Sequence, residues 1–226
     1  MLISVLCLAL GFVACNRGDV EVPVVGTEGL EYTLSRYGKY YIATGMGTCT
    51  ASEIVIGNTY NQLPVKEVGY RAFEYCQELI SVTIPNGVVS IGVAAFWECD
   101  GLTSVTMADT LINIESAAFY DCRGLTSVIM SNRVTHIGYE AFFYCNKLTE
   151  IRIPNSVYLI GRNVFRGCSG LTSVTFENVD EWEVLSWSGI STEISSNDIS
   201  DPAIAAEFLT STYGEYQWQR YYGKRG

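Results

Sequence analysis

The chain has 226 residues, 48% of them hydrophobic, and its 14 Lys and Arg residues against 24 Asp and Glu residues give a formal net charge of -10. This length suits a single domain, although a repeat architecture allows a longer one. The negative charge disfavours nucleic acid as a partner, because phosphates are bound by basic surfaces.

The N-terminus is an apolar run, residues 1–14, in which Ser4 is the only polar residue. The run is short for a transmembrane helix. It leads into Phe12-Val-Ala-Cys15, which resembles a bacterial lipobox, although Phe12 stands where Leu is usual and no Lys or Arg precedes the run. The resemblance implies a signal peptide over residues 1–14 and lipidation of Cys15. The alternative interpretation is a buried N-terminal strand.

The next two segments lack any fixed period. Residues 15–28 contain Gly, Pro and charged residues, and we predict a tether. In residues 29–64, apolar and polar side chains alternate on both sides of Tyr37-Gly38, which predicts a hairpin, and Ile54 marks a further strand. We assign residues 29–64 to an N-terminal cap and a first coil, because an end coil needs a cover for its core and its unpaired edge.

The central part of the chain, residues 65–178, is a 23-residue unit that recurs five times without insertion or deletion. Its fixed apolar positions form columns, among them Phe73, Phe96, Phe119, Phe142 and Phe165, and Cys76, Cys99, Cys122, Cys145 and Cys168. A fixed period with fixed apolar positions indicates stacked structural repeats. A single coil cannot bury its apolar side chains alone, so the coils above and below it must cover them.

One part of each unit has helical spacing. Ile91, Ala95, Cys99 and Leu102 are separated by four, four and three residues, which predicts one face of a short helical turn. Gly101 follows the last turn, where a left-handed residue suits glycine best. We therefore predict a short helix that ends at this glycine.

The other part of each unit predicts a strand. Residues 103–107 alternate and are rich in β-branched side chains, with Val105 and Met107 on the inward face. Strands at one repeat offset should lie parallel and about 4.8 Å apart. The predicted fold is an α/β repeat solenoid of the leucine-rich-repeat type, with short parallel strands and short helical turns, capped at both ends.

The period fails in residues 179–226, which we assign to a C-terminal cap. Trp182 and Val184 suggest one more strand, and residues 189–200 suggest a polar loop. Asp201 and Pro202 suit the N-cap and first position of a helix. The predicted apolar face of that helix consists of Ile204, Phe208, Leu209 and Tyr213.

The repeat reads L-x-x-V-x-I-P-N-x-V-x-x-I-G-x-x-A-F-x-x-C-x-x. It resembles the BspA-like class of leucine-rich repeats over about residues 29–220. The departures, such as Glu115 for Gly and Val164 for Ala, leave the apolar frame intact. The resemblance implies a bacterial cell-surface adhesion protein, with host matrix proteins or other cells as targets.

The sequence contains few residues in patterns that indicate catalysis or metal binding. Five of the eight cysteines occupy one inward repeat offset, which predicts buried free thiols, with a disulfide involving Cys49 as the alternative. The Cys spacing does not suit zinc. His136, the single histidine, lies at a variable repeat position, and no catalytic or nucleotide-binding fingerprint is present. We predict no enzyme activity, no metal and no cofactor.

Binding is better supported, by variable positions inside the fixed frame. Trp97, Tyr120 and Phe143 share one offset and are predicted to stack as an outward aromatic ridge, with Tyr139 and Tyr144 beside it. Exposed aromatic rows suggest recognition. The alternative is that these rings only shield the coils.

A second candidate surface is the outward face of the strands. Its side chains are Ser81, Ser104, Ser127, Glu150, Thr83, Thr106, Ile129 and Arg152.

These observations predict a binding protein of the cell envelope, lipid-anchored through Cys15 and facing outward. It would recognise a protein partner, such as a host matrix protein, and would contact the membrane only through its lipid. The alternatives are a glycan-binding envelope lipoprotein, which would bind a cell-surface glycan, and a structural spacer.

Overall fold

The computed structural model describes residues 23–220 of the chain. The predicted signal peptide and the predicted lipidation site Cys15 lie outside the described residues. The strands, in chain order, are β1 (Glu31–Leu34), β2 (Tyr41–Gly45), β3 (Glu53–Val55), β4 (Thr59–Tyr60), β5 (Leu63–Val68), β6 (Ser81–Ile84), β7 (Ser90–Ile91), β8 (Ser104–Met107), β9 (Asn113–Ile114), β10 (Ser127–Ile129), β11 (His136–Ile137), β12 (Glu150–Ile153), β13 (Leu159–Ile160), β14 (Ser173–Phe176), β15 (Trp182–Leu185), β16 (Ser191–Glu193) and β17 (Gln217–Arg220). Between β16 and β17 lie α1 (Ser196–Ser200), α2 (Pro202–Glu207) and a π-helical segment, Phe208–Thr212.

The described chain is a parallel solenoid, and its first wall consists of the predicted strands. We call this the strand wall; it contains β3, β6, β8, β10, β12 and β14. Its strands pair at the repeat offset, so that Ser81 lies opposite Ser104. Val105 and Met107 are buried, as the alternation predicted. The solenoid and its register are therefore confirmed.

A second wall, the short-strand wall, was not predicted. Two-residue strands, β7, β9, β11 and β13, pair in parallel one above the other, and β5 precedes them. The helical spacing of the repeat predicts that Ile91 starts a helix, and Ile114 is its equivalent in the next repeat. The isoleucines are buried as expected, but in a sheet.

The predicted helical turns of the repeats are wrong. Residues 92–102 form consecutive turns in place of a helix. Ala94 and Glu98 have left-handed φ values of 55° and 53°, which interrupt any helix. Alternate amides bond to the next coil, as in Phe96 N–H to the Ala118 carbonyl at 2.8 Å. The remaining amides close three-residue turns, as in Cys99 N–H to the Phe96 carbonyl. Because the backbone groups find partners in the neighbouring coil, a helix is not needed to satisfy them.

The predicted left-handed role of Gly101 is also wrong. Left-handed glycines occur elsewhere in the described chain, and Gly101 is not one of them. A Cβ on Gly101 would lie 2.1 Å from the carbonyl oxygen of Gln77 in the preceding coil. Glycine therefore serves close stacking of coils at this position.

The core of the solenoid is a column of parallel phenylalanine rings. Phe73, Phe96, Phe119, Phe142 and Phe165 are all fully buried. Successive ring centroids lie 5.2–5.6 Å apart, with interplanar angles of 7° or less. This spacing matches offset stacking of aromatic rings. The column predicted from the 23-residue period is confirmed.

The cysteine column beside these rings consists of free thiols, as predicted. Cys99, Cys122, Cys145 and Cys168 are buried as predicted, but Cys76 of the same column is only half-buried. All six cysteines of residues 23–220 are free, including Cys49. Each buried thiol donates to a phenylalanine carbonyl of the preceding coil, for example Cys122 Sγ to Phe96 O at 3.0 Å. The side chain is small and apolar but still supplies a donor, which explains why cysteine suits this offset.

The strand wall is interrupted between β10 and β12. No backbone hydrogen bond joins these two strands of the described chain, and a depression of about 330 Å³, lined by β10, β12 and β14, lies over this part of the wall. β10 ends at Ile129, one residue earlier than its repeat equivalent β8, and the next two residues, Met130 and Ser131, are buried. The coils remain joined on the short-strand wall, where His136 pairs on both sides. We call this feature the strand-wall gap.

The amides beside the strand-wall gap should exchange with solvent faster than their repeat equivalents. Hydrogen exchange follows local opening, and a strand without a partner on one side opens more readily. We expect residues 149–153 to exchange about tenfold or more faster than residues 103–107 in native-state hydrogen exchange. Equal protection of the two segments would contradict the gap.

The N-terminal end of the solenoid begins with the predicted hairpin. β1 pairs antiparallel with β2, and β2 then pairs in parallel with β5. β2 thus extends the short-strand wall at its first coil. Its role as a cap remains a prediction.

At the C-terminal end, one prediction is confirmed and two are wrong. Asp201 caps α2 by accepting from the amides of Ala203 and Ile204, as predicted. Ile204 itself is exposed, however, because α2 buries Ala205 and Ala206 against the core. The polar segment 189–200 contains β16 and α1 in place of a loop. β17 returns antiparallel to β13, so it covers the edge of the short-strand wall.

Candidate functional site

The predicted aromatic ridge forms, and its rings stack face to face. The ring centroids of Trp97 and Tyr120 lie 4.2 Å apart, and those of Tyr120 and Phe143 lie 4.9 Å apart, with interplanar angles of 17° and 10°. All three side chains are half-buried. Because the faces of the rings cover one another, the ridge presents mainly ring edges to solvent.

Carboxylates border the aromatic ridge. Glu98 accepts a hydrogen bond from the indole nitrogen of Trp97 at 2.7 Å. Asp121 is held by the guanidinium of Arg123 through two bonds of 2.7 Å. Burial, followed by the charges of Glu140 and Asp121, raises the pKa of the Tyr120 phenol. Among the described residues, Glu98 and Glu140 have no ion pair, so the border is acidic.

The two tyrosines predicted beside the ridge lie in different places. Tyr144 is exposed, meets Phe143 edge to face at 4.5 Å, and covers the backbone of Gly167. It therefore extends the ridge by one ring. Tyr139 is also exposed, but it stands at the corner between the ridge and the short-strand wall. The hydrogen bond from the phenol to the adjacent Glu140 carboxylate raises the pKa of Tyr139.

The strand-wall candidate site is irregular. Ile129 is 64% exposed at the strand-wall gap. Arg152 spans the gap, donating to the side chain of Asn132 at 3.1 Å and pairing with Glu177. These contacts satisfy the guanidinium internally, so this wall offers less to a partner than the ridge does.

A cleft of about 370 Å³, which the repeat pattern does not predict, opens on the short-strand wall. Its walls include Glu115, His136, Tyr139, Arg162 and Gln217. These residues come from three consecutive coils and from β17, which returns from the C-terminal end. We call this feature the cleft.

Two residues of the cleft already stood out in the sequence. Glu115 stands where the other repeats have glycine, and His136 is the single histidine. Gln217 gave no signal, because its place beside the repeats depends on β17 pairing with β13.

A family model described as "BspA type Leucine rich repeat region" matches residues 66–190 in six copies. This match covers more than half of the chain. The chain belongs to the BspA-type leucine-rich repeat family. The family resemblance predicted from the repeat is thereby confirmed.

Two solved leucine-rich repeat proteins resemble this BspA-type chain. The protein of T. pallidum is 31% identical, with a TM-score of 0.62 over 65% of this chain and 68% of that one. The protein of Bacteroides ovatus is 28% identical, with a TM-score of 0.60, and the match covers 66% of this chain but 40% of that one. No curated protein matches the sequence significantly.

The two candidate surfaces of this BspA-type chain, the aromatic ridge and the cleft, differ in their chemistry. The ridge follows from the repeat, because one offset places side chains of adjacent coils side by side and three consecutive coils have aromatic residues there. The cleft is irregular and combines charged, amide and aromatic groups. Residues 23–220 contain no group of three or more His, Cys, Asp or Glu that could hold a metal.

Proposed function

We propose that the chain is a non-enzymatic binding protein of the bacterial cell surface, which recognises a protein partner through the aromatic ridge. The proposal places the chain at the envelope, anchored by a lipid on Cys15. Membership of a repeat family built as a scaffold supports binding over catalysis.

The observation that carries the choice of partner is the stacking of the ridge. Sugars bind aromatic side chains through the ring face, and both faces of Tyr120 are covered by Trp97 and Phe143. The outer side of Phe143 meets the edge of Tyr144. A ridge of ring edges instead suits apolar side chains, as in the centre of protein interfaces, where aromatic residues are enriched.

The charge around the aromatic ridge indicates which charge the partner should carry. Glu98 and Glu140 border the rings without an ion pair in the described chain, and the chain as a whole carries -10. Complementary charge speeds association and fixes orientation. The partner should therefore present apolar side chains flanked by Lys or Arg.

Replacing Tyr120 by Ala should weaken this recognition at least tenfold. Truncation of a central aromatic residue at an interface costs about 2 kcal/mol or more, which corresponds to at least tenfold in affinity. Surface plasmon resonance of the purified full chain against a panel of matrix proteins measures the effect.

Glu140→Gln should weaken binding most at low salt, because it removes one negative charge from the border of the aromatic ridge.

The matched control is Tyr37→Ala, which removes a 78% exposed tyrosine from the β1–β2 hairpin. It should leave binding unchanged. A chain that binds no protein would favour the spacer. A chain whose Tyr120→Ala variant loses binding to a glycan but binds no protein would favour the glycan-binding alternative.

A further inference from the structure

The cleft on the short-strand wall is separate from the aromatic ridge and contains polar groups with unused bonding capacity. Its volume, about 370 Å³, lies within the range of small-molecule sites, about 300–1,000 Å³. A flat parallel sheet would not form such a cleft. It arises here because β17 adds antiparallel to β13 at one end and brings Gln217 beside the outward side chains of β11 and β13.

The carboxylate of Glu115 is the first group with unused capacity. It is half-buried and makes no hydrogen bond or ion pair with other described residues. It cannot serve a general role in the repeat, because the equivalent residues Gly92, Gly138 and Gly161 have no side chain. A half-buried carboxylate with no protein partner is suited to accept from a ligand.

Arg162 also lines the cleft, and two contacts hold its guanidinium in place. One terminal nitrogen donates to the Ser186 carbonyl at 3.1 Å, and the guanidinium carbon lies 3.9 Å from the ring centre of Trp187. Stacking on an aromatic ring fixes the plane of the guanidinium. Trp187 is 73% exposed and touches the cleft only through Arg162.

His136 is oriented by its neighbours. Its Nδ1 lies 2.8 Å from the hydroxyl of Thr135, and its ring meets Tyr158 edge to face at 4.5 Å. This arrangement leaves Nε2 for a ligand. The imidazole thus adds a donor or acceptor of fixed direction to the cleft.

We propose that the cleft is a binding site for a neutral saccharide. The charges of Glu115 and Arg162 balance, and the net charge of -10 opposes an acidic ligand. Carboxylate, guanidinium and amide groups are planar and can each bond two adjacent hydroxyl groups, the pattern that a sugar ring offers. Tyr139, an exposed residue of the cleft lining, supplies a ring that is not covered by a stacked neighbour as Tyr120 is.

Calorimetric titration of the full chain tests this site, with neutral hexoses and N-acetylhexosamines as ligands. Acidic sugars and free amino acids form separate arms. We expect saturable binding of at least one neutral saccharide. Glu115→Gln and Tyr139→Ala should each weaken it tenfold or more.

Two variants are matched controls for the titration. Glu150→Gln removes an exposed carboxylate from the strand wall, and Tyr120→Ala removes a ring from the ridge. Both should leave saccharide binding unchanged, so that failure of the cleft and failure of the ridge give different results. Binding of no neutral saccharide, preference for acidic sugars or amino acids, or binding that survives Glu115→Gln and Tyr139→Ala would overturn the proposal.

Discussion

Replacing Phe142 by Ala is expected to lower the free energy of unfolding by about 3–5 kcal/mol. Phe142 is fully buried, and its ring is stacked between those of Phe119 and Phe165 at 5.2 and 5.6 Å. Truncation leaves a cavity inside a continuous column, where the rigid coil spacing prevents collapse. It also removes two aromatic contacts, each of about 0.5–1.5 kcal/mol beyond the buried area. Denaturation in urea, followed by circular dichroism, measures the change.

The adjacent residue provides the control. Phe143 is half-buried on the aromatic ridge, and Phe143→Ala makes the same chemical change one position further along the chain. We expect it to cost less than about 2 kcal/mol, because a partly exposed ring loses less buried area on truncation. It should instead reduce binding at the ridge. Equal losses of stability for Phe142→Ala and Phe143→Ala would contradict the assignment of inner and outer columns.

The columns of the solenoid could be predicted from the sequence because they depend only on period and polarity. The inward phenylalanines recur in all five repeats, and aromatic residues occupy the next offset in three consecutive repeats, so stacking follows from the repeat itself. The local backbone of the turns could not be predicted in this way. The spacing of Ile91, Ala95 and Cys99 fits a helical face, and alanine and glutamate favour helices. Hydrogen bonds to the neighbouring coil overrode that preference and placed Ala94 and Glu98 in the left-handed region.

The two proposed sites differ in how far the sequence could indicate them. The aromatic ridge lies at one repeat offset, so a single alignment of the repeats to one another indicates it. The cleft requires contacts that join distant parts of the chain, namely Gln217 beside β13 and Trp187 on Arg162. Neither contact follows from the period. In the sequence, Glu115 stood out as a departure from the repeat and His136 only as the single histidine.

The fold should lose stability above about pH 9 because of its buried thiols. A buried thiol is neutral when protonated, and burial raises the pKa of Cys99 from 9.0 to about 12. Burial also raises the pKa of Cys122 and of Cys145 well above 9.0. As the pH rises, the unfolded chain therefore releases these protons before the folded chain does, which favours unfolding. For Cys99 alone, the loss between pH 9.0 and about 12 corresponds to roughly 4 kcal/mol, at about 1.4 kcal/mol per pH unit.

Urea unfolding at a series of pH values should show this fall as a steep decline in the free energy of unfolding above pH 9. Tyrosine and lysine residues titrate in the same range, so the comparison must remove the thiols alone. A variant with Cys99→Ala, Cys122→Ala and Cys145→Ala should be less stable at neutral pH, because each change deletes a sulfur and its bond to a phenylalanine carbonyl. Its stability should nevertheless decline less steeply above pH 9. If the free energy of unfolding declined equally steeply with pH in both proteins, the buried thiols would not be its cause. Thiolate absorbance from these three cysteines in the folded chain near pH 9 would show the same.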